Sequence, residues 1–443
     1  MTASATTQPF SVTHRGVLAI AVPMTLAYLS TPLLGVVDTA VIGRLGDAAL
    51  VGGIAIGGVI FDLVFTTFNF LRSGTTALTA QALGAGDHSE IRATFLRAMV
   101  IALGAGLCVV LLQAPFLEIG LSLLGGSAEV QSATRRYFEI RIISAPLLLA
   151  NYAILGWFLG LGRATTGLAL QLLLNGLNIG LSILFVIGLE WSIEGVALAT
   201  VLSELVAAVF GVVLVLRATR GTPWPARKVV LDRRLLLRMM AVNRDIMIRS
   251  FSLLFAFAFF TARSADQGDV MLATNAILEK FFIVGGYFLD GLATAAEQLA
   301  GRAIGARYRP AFDRTVRLTA IWSFFLAGLL ALFYLVLGPY LFDLMTISPE
   351  VREMGRIYLP WAAVTPLFGV LAFLMDGIFI GATWSRDMRN MMLLSLAAFI
   401  AAYYALFPLL GNHGLWLSLE IFLGLRGITL ALICRRRADA TFR

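Results

Sequence analysis

The chain has 443 residues, is 59% hydrophobic and only 14% charged, and has a mean hydropathy of +0.87. So little polar surface cannot cover a water-soluble domain of this size, which excludes any sizeable soluble module. The net charge of +8 would suggest nucleic acid in a soluble protein, but here it is better explained by membrane orientation, and no nucleic-acid partner is expected.

Apolar runs long enough to cross about 30 Å of hydrocarbon recur along the whole length. Breaks at Gly, Pro and charge predict twelve helices, near 16–43, 48–73, 91–113, 129–157, 163–189, 193–217, 237–264, 269–298, 311–337, 350–381, 388–409 and 413–434. The fold class is an all-α polytopic membrane protein with twelve transmembrane helices in two six-helix bundles. The organisation expected is a first lobe over 1–217, a linker over 218–236 and a second lobe over 237–443. The first 15 residues are polar and no small-residue cleavage site follows an apolar core, so no removable signal peptide is expected. Cys108 and Cys434 lie in separate spans and suggest neither a disulfide nor a CxxC site.

Twelve spans put both termini on one side. Of the 34 Lys and Arg, only Arg44, Arg135, Arg136, Arg263, Arg352 and Arg356 fall in the loops of the other side. The positive-inside rule then places both termini and the basic stretch "RATRGTPWPARKVVLDRRLLLR" (217–238) in the cytoplasm. Such a stretch also suits an amphipathic helix lying on anionic lipid.

The two halves align at an offset near 220. "VQSATRRYFEI" at 130 matches "VREMGRIYLPW" at 351, and "GWFLGLG" at 156 matches "GIFIGAT" at 377. "FLRSGTTALTAQALGAG" at 70 matches "FLDGLATAAEQLAGRAIGA" at 288 if three residues are inserted. "EGVALATVLSEL" at 194 matches "HGLWLSLEIFLG" at 413 more loosely. Six spans per half keep the repeat's orientation, an arrangement suited to alternating access through a cavity between lobes.

Charge inside a span costs roughly 2.5–3.5 kcal/mol for a mid-helix Asp, so each case is a site hypothesis by default. Asp38, in "STPLLGVVDTAVIGRLG" (30–46), has no basic residue within a helical turn. Pro23 and Pro32 precede it, freeing the carbonyls of Ala19 and Tyr28, so the first helix can bend. On the fifth span Gln171, Asn175, Asn178 and Ser182 share one face and offer Asp38 polar partners. With Thr31 and Asn69 they form the expected polar set of the first lobe. The second span carries a stripe of Asp62, Thr66, Asn69, Ser73 and Thr76, with Arg72 near its end. Glu139 and Arg141 on the fourth span face apart. Asp245 and Arg249, spaced i, i+4, are expected to pair. The second lobe's candidates are Asn275, Glu279 and Asp290 on roughly one face of the eighth span, and Asp376 on the tenth.

The three histidines, His14, His88 and His413, lie at ends or loops, and no HExxH, Walker A or Ser/His/Asp grouping is present. No enzymatic activity, metal or cofactor is therefore expected. Transport energy must come from an ion gradient or from the substrate's own.

Several stretches carry a family resemblance: "PLLGVVDTAVIGRLG", "FLRSGTTALTAQALGAGD", "NRDIMIRS" (243–250), "LDGLATAAEQLAGRAIGAR" (289–307) and "MDGIFIGAT" (375–383). Together they resemble the multidrug and toxic compound extrusion (MATE) family, in its DinF-like branch, over nearly the whole chain. The resemblance implies two pseudo-symmetric bundles in a bacterial inner membrane and ion-driven export of amphipathic, often cationic compounds by a monomer. It implies that Asp38 couples protons through bending at Pro23, and that Asn178 is the family's fifth-helix asparagine. Ser182 stands where several relatives carry a second aspartate. Asp376 resembles the tenth-helix acid of sodium-coupled members, but 246–264 lacks the seventh-helix glutamate that accompanies it. Protons are thus favoured over sodium as the coupling ion. The alternatives to organic-cation export are export of organic acids and flipping of a lipid-linked precursor.

Overall fold

The computed structural model describes residues 8–221 and 223–443. Helix is the regular structure throughout those residues. Twelve long segments follow the expected order: α1 His14–Gly43, α2 Ala48–Gly84, α3 His88–Leu111, α4 Ala128–Gly160, α5 Ala164–Gly188, α6 Ile193–Ala218, α7 Arg233–Ala265, α8 Asp269–Gly305, α9 Arg309–Met345, α10 Pro349–Gly381, α11 Ser385–Leu410 and α12 Asn412–Thr441. Eleven are apolar enough by themselves to cross a membrane. The exception is α8, whose 37 residues include Asp269, Glu279, Lys280, Asp290, Glu297 and Arg302.

One helix outruns its expected end, and another keeps its expected bounds through two prolines. α9 continues to Met345 through Pro339, and α10 passes through Pro360 and Pro366. A proline removes one intrahelical hydrogen bond, a loss that packed neighbours absorb inside a bundle. The segment after α3 was expected to be a loop, but Gln113–Leu124 forms a short helix. Pro115 sits in its first turn, where a missing N–H costs little. Leu117, Gly120 and Leu121 face inward, and Gly120 packs on Ile60.

The internal repeat is written into the backbone at a uniform offset of 221. A Cβ on Gly156 would strike the carbonyl of Arg72, and one on Gly377 would strike that of Ala293. Gly160 and Gly381 stand in the same relation to the carbonyls of Thr76 and Glu297. Each half therefore holds two helices in close approach through a Gly-x-x-x-Gly pair, the small-residue contact that favours helix packing in lipid. Left-handed caps repeat too: Gly86 and Arg307 (φ 68 and 49), Gly162 and Thr383 (72 and 57), Glu190 and Gly411 (57 and 55). Ser127 and Ser348 cap α4 and α10 alike, each accepting from the amide three residues on. The insertion that the sequence alignment required between 70 and 288 is not needed. Side-chain similarity had matched Phe70 to Phe288, whereas the helix contacts align Arg72 with Ala293.

By packing the chain forms two compact units. One comprises Leu26–Ala82 and Asp87–Met240. Its core centres on Phe61, Phe65, Tyr137, Phe138 and Leu149. Two arginines of α3 fasten the connecting segment to this unit. Arg92 donates to Pro223 O; Arg97 donates to Val229 O (2.8 Å) and Val230 O (3.1 Å) while pairing with Glu90 (2.6 Å). The other unit comprises Ala241–Arg443, Leu83–Gly86, and Thr25 with the described residues before it. Its core is built on Phe260, Phe399, Trp416 and Phe422. The stretch ending at Thr25 joins this unit through specific contacts: Gln8 N donates to Ala306 O (3.1 Å), Arg314 Nε donates to Val12 O (2.6 Å), and Gly291 leaves no space for a Cβ beside Thr25.

Candidate functional site

In the unit containing Leu26–Ala82, α1 and α5 run side by side and bond at two levels. Asn175 Nδ2 donates to Ser30 Oγ (2.7 Å), and Ser182 Oγ donates to Asp38 Oδ1 (3.0 Å). Gln171 joins the first pair through Asn175 Oδ1 (3.1 Å). Asn178 turns to α6 instead, donating to Thr200 Oγ1 (2.9 Å), and its own Oδ1 is buried without a partner. The i, i+4, i+7, i+11 spacing thus brings Gln171, Asn175 and Ser182 to the α1 seam, while Asn178 serves the neighbouring contact with α6. Thr31 is exposed, as is Asn69, which accepts from Arg72 Nε (3.0 Å).

Asp38 is 8% exposed, and among the described residues no Lys or Arg forms an ion pair with it. A neutral hydroxyl partner tolerates both the ionised and the protonated carboxyl, so the group can gain or lose a proton without first breaking a salt bridge. A cation does stand within electrostatic reach. Arg141, on α4, interacts with Asp38, Asp62 and Glu204. Its Nη1 donates to Tyr137 Oη (2.6 Å) and its guanidinium lies 4.3 Å from the Phe61 ring centroid. Pro23 and Pro32 both lie within a single uninterrupted α1, Pro32 about 9 Å of helix rise before Asp38.

In the unit containing Ala241–Arg443 the candidates fall into separate places. Asp376 is 4% exposed and held by two arginines, Arg249 from α7 and Arg426 from α12, the latter at 2.7 Å. Asp290 lies within electrostatic reach of Arg426. The expected Asp245–Arg249 pair does not form. Asp245 bonds instead to Arg389 (2.7 Å) and Ser385 (3.2 Å), because α11 approaches it more closely than its own helix neighbour does. Asn275 is fully committed elsewhere, bonded to Ser264 (2.8 Å), Asn412 (2.8 and 3.1 Å) and Trp416 Nε1 (3.0 Å). Glu279 lines a small recess beside Thr261, Ser264 and Asn275. The single face inferred for α8 is therefore divided: Asn275 and Glu279 belong to one cluster, and Asp290 to the charged group about 20 Å of rise further along.

Among the buried charged residues that went unremarked in the sequence, three lie well inside a span: Glu204 on α6, and Glu420 and Arg426 on α12, exposed 4%, 1% and 1%. The rule that singled out Asp38 applies equally to them, since each lies in the middle of a predicted span. The proximity of Arg141 to three acids had no local signal, because the partners come from α1, α2 and α6.

Known proteins resemble this chain in sequence and fold. The MatE family model matches residues 23–184 and again 246–404, once in each half. The chain is 39% identical over 426 residues to the DNA damage-inducible protein F of Escherichia coli (strain K12), covering 94% of this chain and 91% of that protein. It is 21% identical over 426 residues to the multidrug export protein MepA of Staphylococcus aureus (strain MSSA476), covering 96% and 94%. A solved outward-facing multidrug resistance MATE family transporter superposes with a TM-score of 0.86 at 19% identity, over 97% of this chain and 96% of that one. The twofold family match, the strong relative and the shared fold together establish that this chain belongs to the MatE family: it is a multi-pass membrane transporter of small molecules and not an enzyme.

Proposed function

We propose that the protein exports amphipathic organic cations in exchange for protons, by alternating access, with Asp38 as the coupling carboxylate. The observation that carries this reading is the Asp38–Ser182 pair: a buried acid on a helix with two internal prolines, bonded to a neutral hydroxyl. Ionised, Asp38 attracts a cation; protonated, it loses that attraction, so proton and substrate favour different states, as antiport requires. The multidrug relative MepA supports a drug-like substrate. Proteoliposomes loaded with ethidium should extrude it under an imposed pH gradient and not under a sodium gradient. Efflux driven by sodium alone would reverse the choice of ion. The placement of Asp376 between Arg249 and Arg426 supports proton over sodium coupling, because two guanidiniums already compensate the charge of that acid.

The same two arginines favour a second reading, export of organic acids, since they give the second half a local excess of positive charge. Competition decides it: an aromatic carboxylate that blocks ethidium efflux less than a second organic cation does speaks against it.

We further propose a bacterial inner-membrane location with cytoplasmic termini, a first lobe over 1–217 and a second over 237–443. A reporter active only in the cytoplasm, inserted between Trp224 and Lys228, should be active. Activity from a periplasm-only reporter there would invert the orientation.

A further inference from the structure

Glu420 lies in α12 and is 1% exposed. Its Oε1 lies 2.6 Å from Thr365 Oγ1 on α10, and its Oε2 is buried with no partner among the described residues. Thr365 Oγ1 also lies 2.8 Å from the backbone carbonyl of Trp361. A hydroxyl has one hydrogen, and a carbonyl can only accept. That single hydrogen cannot serve Trp361 O and Glu420 Oε1 together, so both contacts are full hydrogen bonds only when the carboxyl is protonated and supplies the second hydrogen. The geometry points to Glu420 as a neutral carboxylic acid that donates to Thr365, the state in which both contacts are satisfied.

The surroundings agree. Among the described residues no charged side chain acts on Glu420. Its own helix carries His413 about two turns earlier, which accepts from Trp361 Nε1 (2.9 Å), and Arg426, which is committed to Asp376. From α10 the titratable group is Tyr358, stacked near His413; from α11 it is Tyr403, packed on Phe259 and Phe407; α7 brings Phe260 against Trp416. Glu279 of α8 faces its own recess beside Thr261 and Ser264. An ionised carboxylate here would be uncompensated and therefore strongly disfavoured. Thr365 directly precedes Pro366, whose missing N–H leaves the Ala362 carbonyl without its helical donor, so the contact sits beside a missing hydrogen bond of α10.

We propose that Glu420 is a second proton-carrying residue of the transport cycle, loaded while it is closed against Thr365 and discharged to water when the α10–α12 contact opens. This rests on the proton-coupled reading above and adds to it a site in the other half of the repeat, independent of Asp38.

The test counts protons. Proteoliposomes of the wild type and of Glu420→Gln, each containing a trapped pH dye, are given ethidium, and protons moved per ethidium are measured. The introduced amide can still donate to Thr365, so packing is preserved while titration is lost. The wild type should move at least one proton more per ethidium than Glu420→Gln, and the variant should still respond to a pH gradient through Asp38. Equal ratios in the two proteins would overturn the role of Glu420 while leaving the antiport reading intact. A wild type that moves no protons would overturn both. Should the glutamine variant fail to insert, Thr365→Val serves instead. It removes the acceptor, so the infrared C=O band of the protonated carboxyl should shift from its wild-type position at neutral pH. An unmoved band would mean that Glu420 does not hold its proton against Thr365.

Discussion

Asp38→Asn should fold and insert normally yet lose most of its pH-gradient-driven export. The amide has nearly the size of the carboxyl and can still accept from Ser182 Oγ, so the α1–α5 seam at 3.0 Å is retained. What disappears is the capacity to change charge. Coupling between two ligands is typically about 1–3 kcal/mol, or roughly five- to 150-fold in affinity. The variant should lose most of that factor, binding ethidium with an affinity that varies far less with pH than in the wild type and keeps only the dependence contributed by Glu420. The measurement is ethidium efflux from proteoliposomes under an imposed pH gradient, beside ethidium binding in detergent across the pH range, at matched protein incorporation. Full gradient-driven efflux by Asp38→Asn would take Asp38 out of the mechanism. Asp62 and Glu204, the other acids that Arg141 reaches, would then be the next to test.

Asp376→Ala should act on stability before it acts on transport. It would leave Arg249 and Arg426 side by side without their shared carboxylate, and the Arg426 side chain is 1% exposed. Removing one partner of a buried pair costs about 3–5 kcal/mol, because the charge left behind is neither hydrated nor paired. That is a large share of the roughly 5–15 kcal/mol by which folded domains are stable. The melting temperature of the detergent-solubilised protein should fall by on the order of 10 °C. Asp376→Leu combined with Arg426→Met should recover most of the loss, because Arg249, partly exposed, can turn its head toward water while the fully buried charge is gone. Unchanged melting in Asp376→Ala would mean that Asp290 alone compensates both guanidiniums.

These two aspartates show where sequence and structure divide the work. By itself the sequence determined the membrane class, the number and order of the long helices, and the duplication, since each follows from hydropathy and spacing along one strand of chain. It also determined the α5 seam: a helical period places Gln171, Asn175, Asn178 and Ser182 on one face whatever they later meet. The motif resemblance pointed to the family that the repeated match over 23–184 and 246–404 then established. Only the tertiary structure decided the partners. Asp245 chose Arg389 over Arg249 and Asp376 gathered arginines from α7 and α12, because distances between helices are set by packing and not by separation in sequence. The 221-residue register likewise emerged from glycine contacts between helices, where similarity of side chains had suggested an insertion. The proton proposed for Glu420 was the least legible of all. It depends on which of two acceptors takes a single hydroxyl hydrogen, and that is settled only when Thr365, Trp361 and Glu420 are brought together in space.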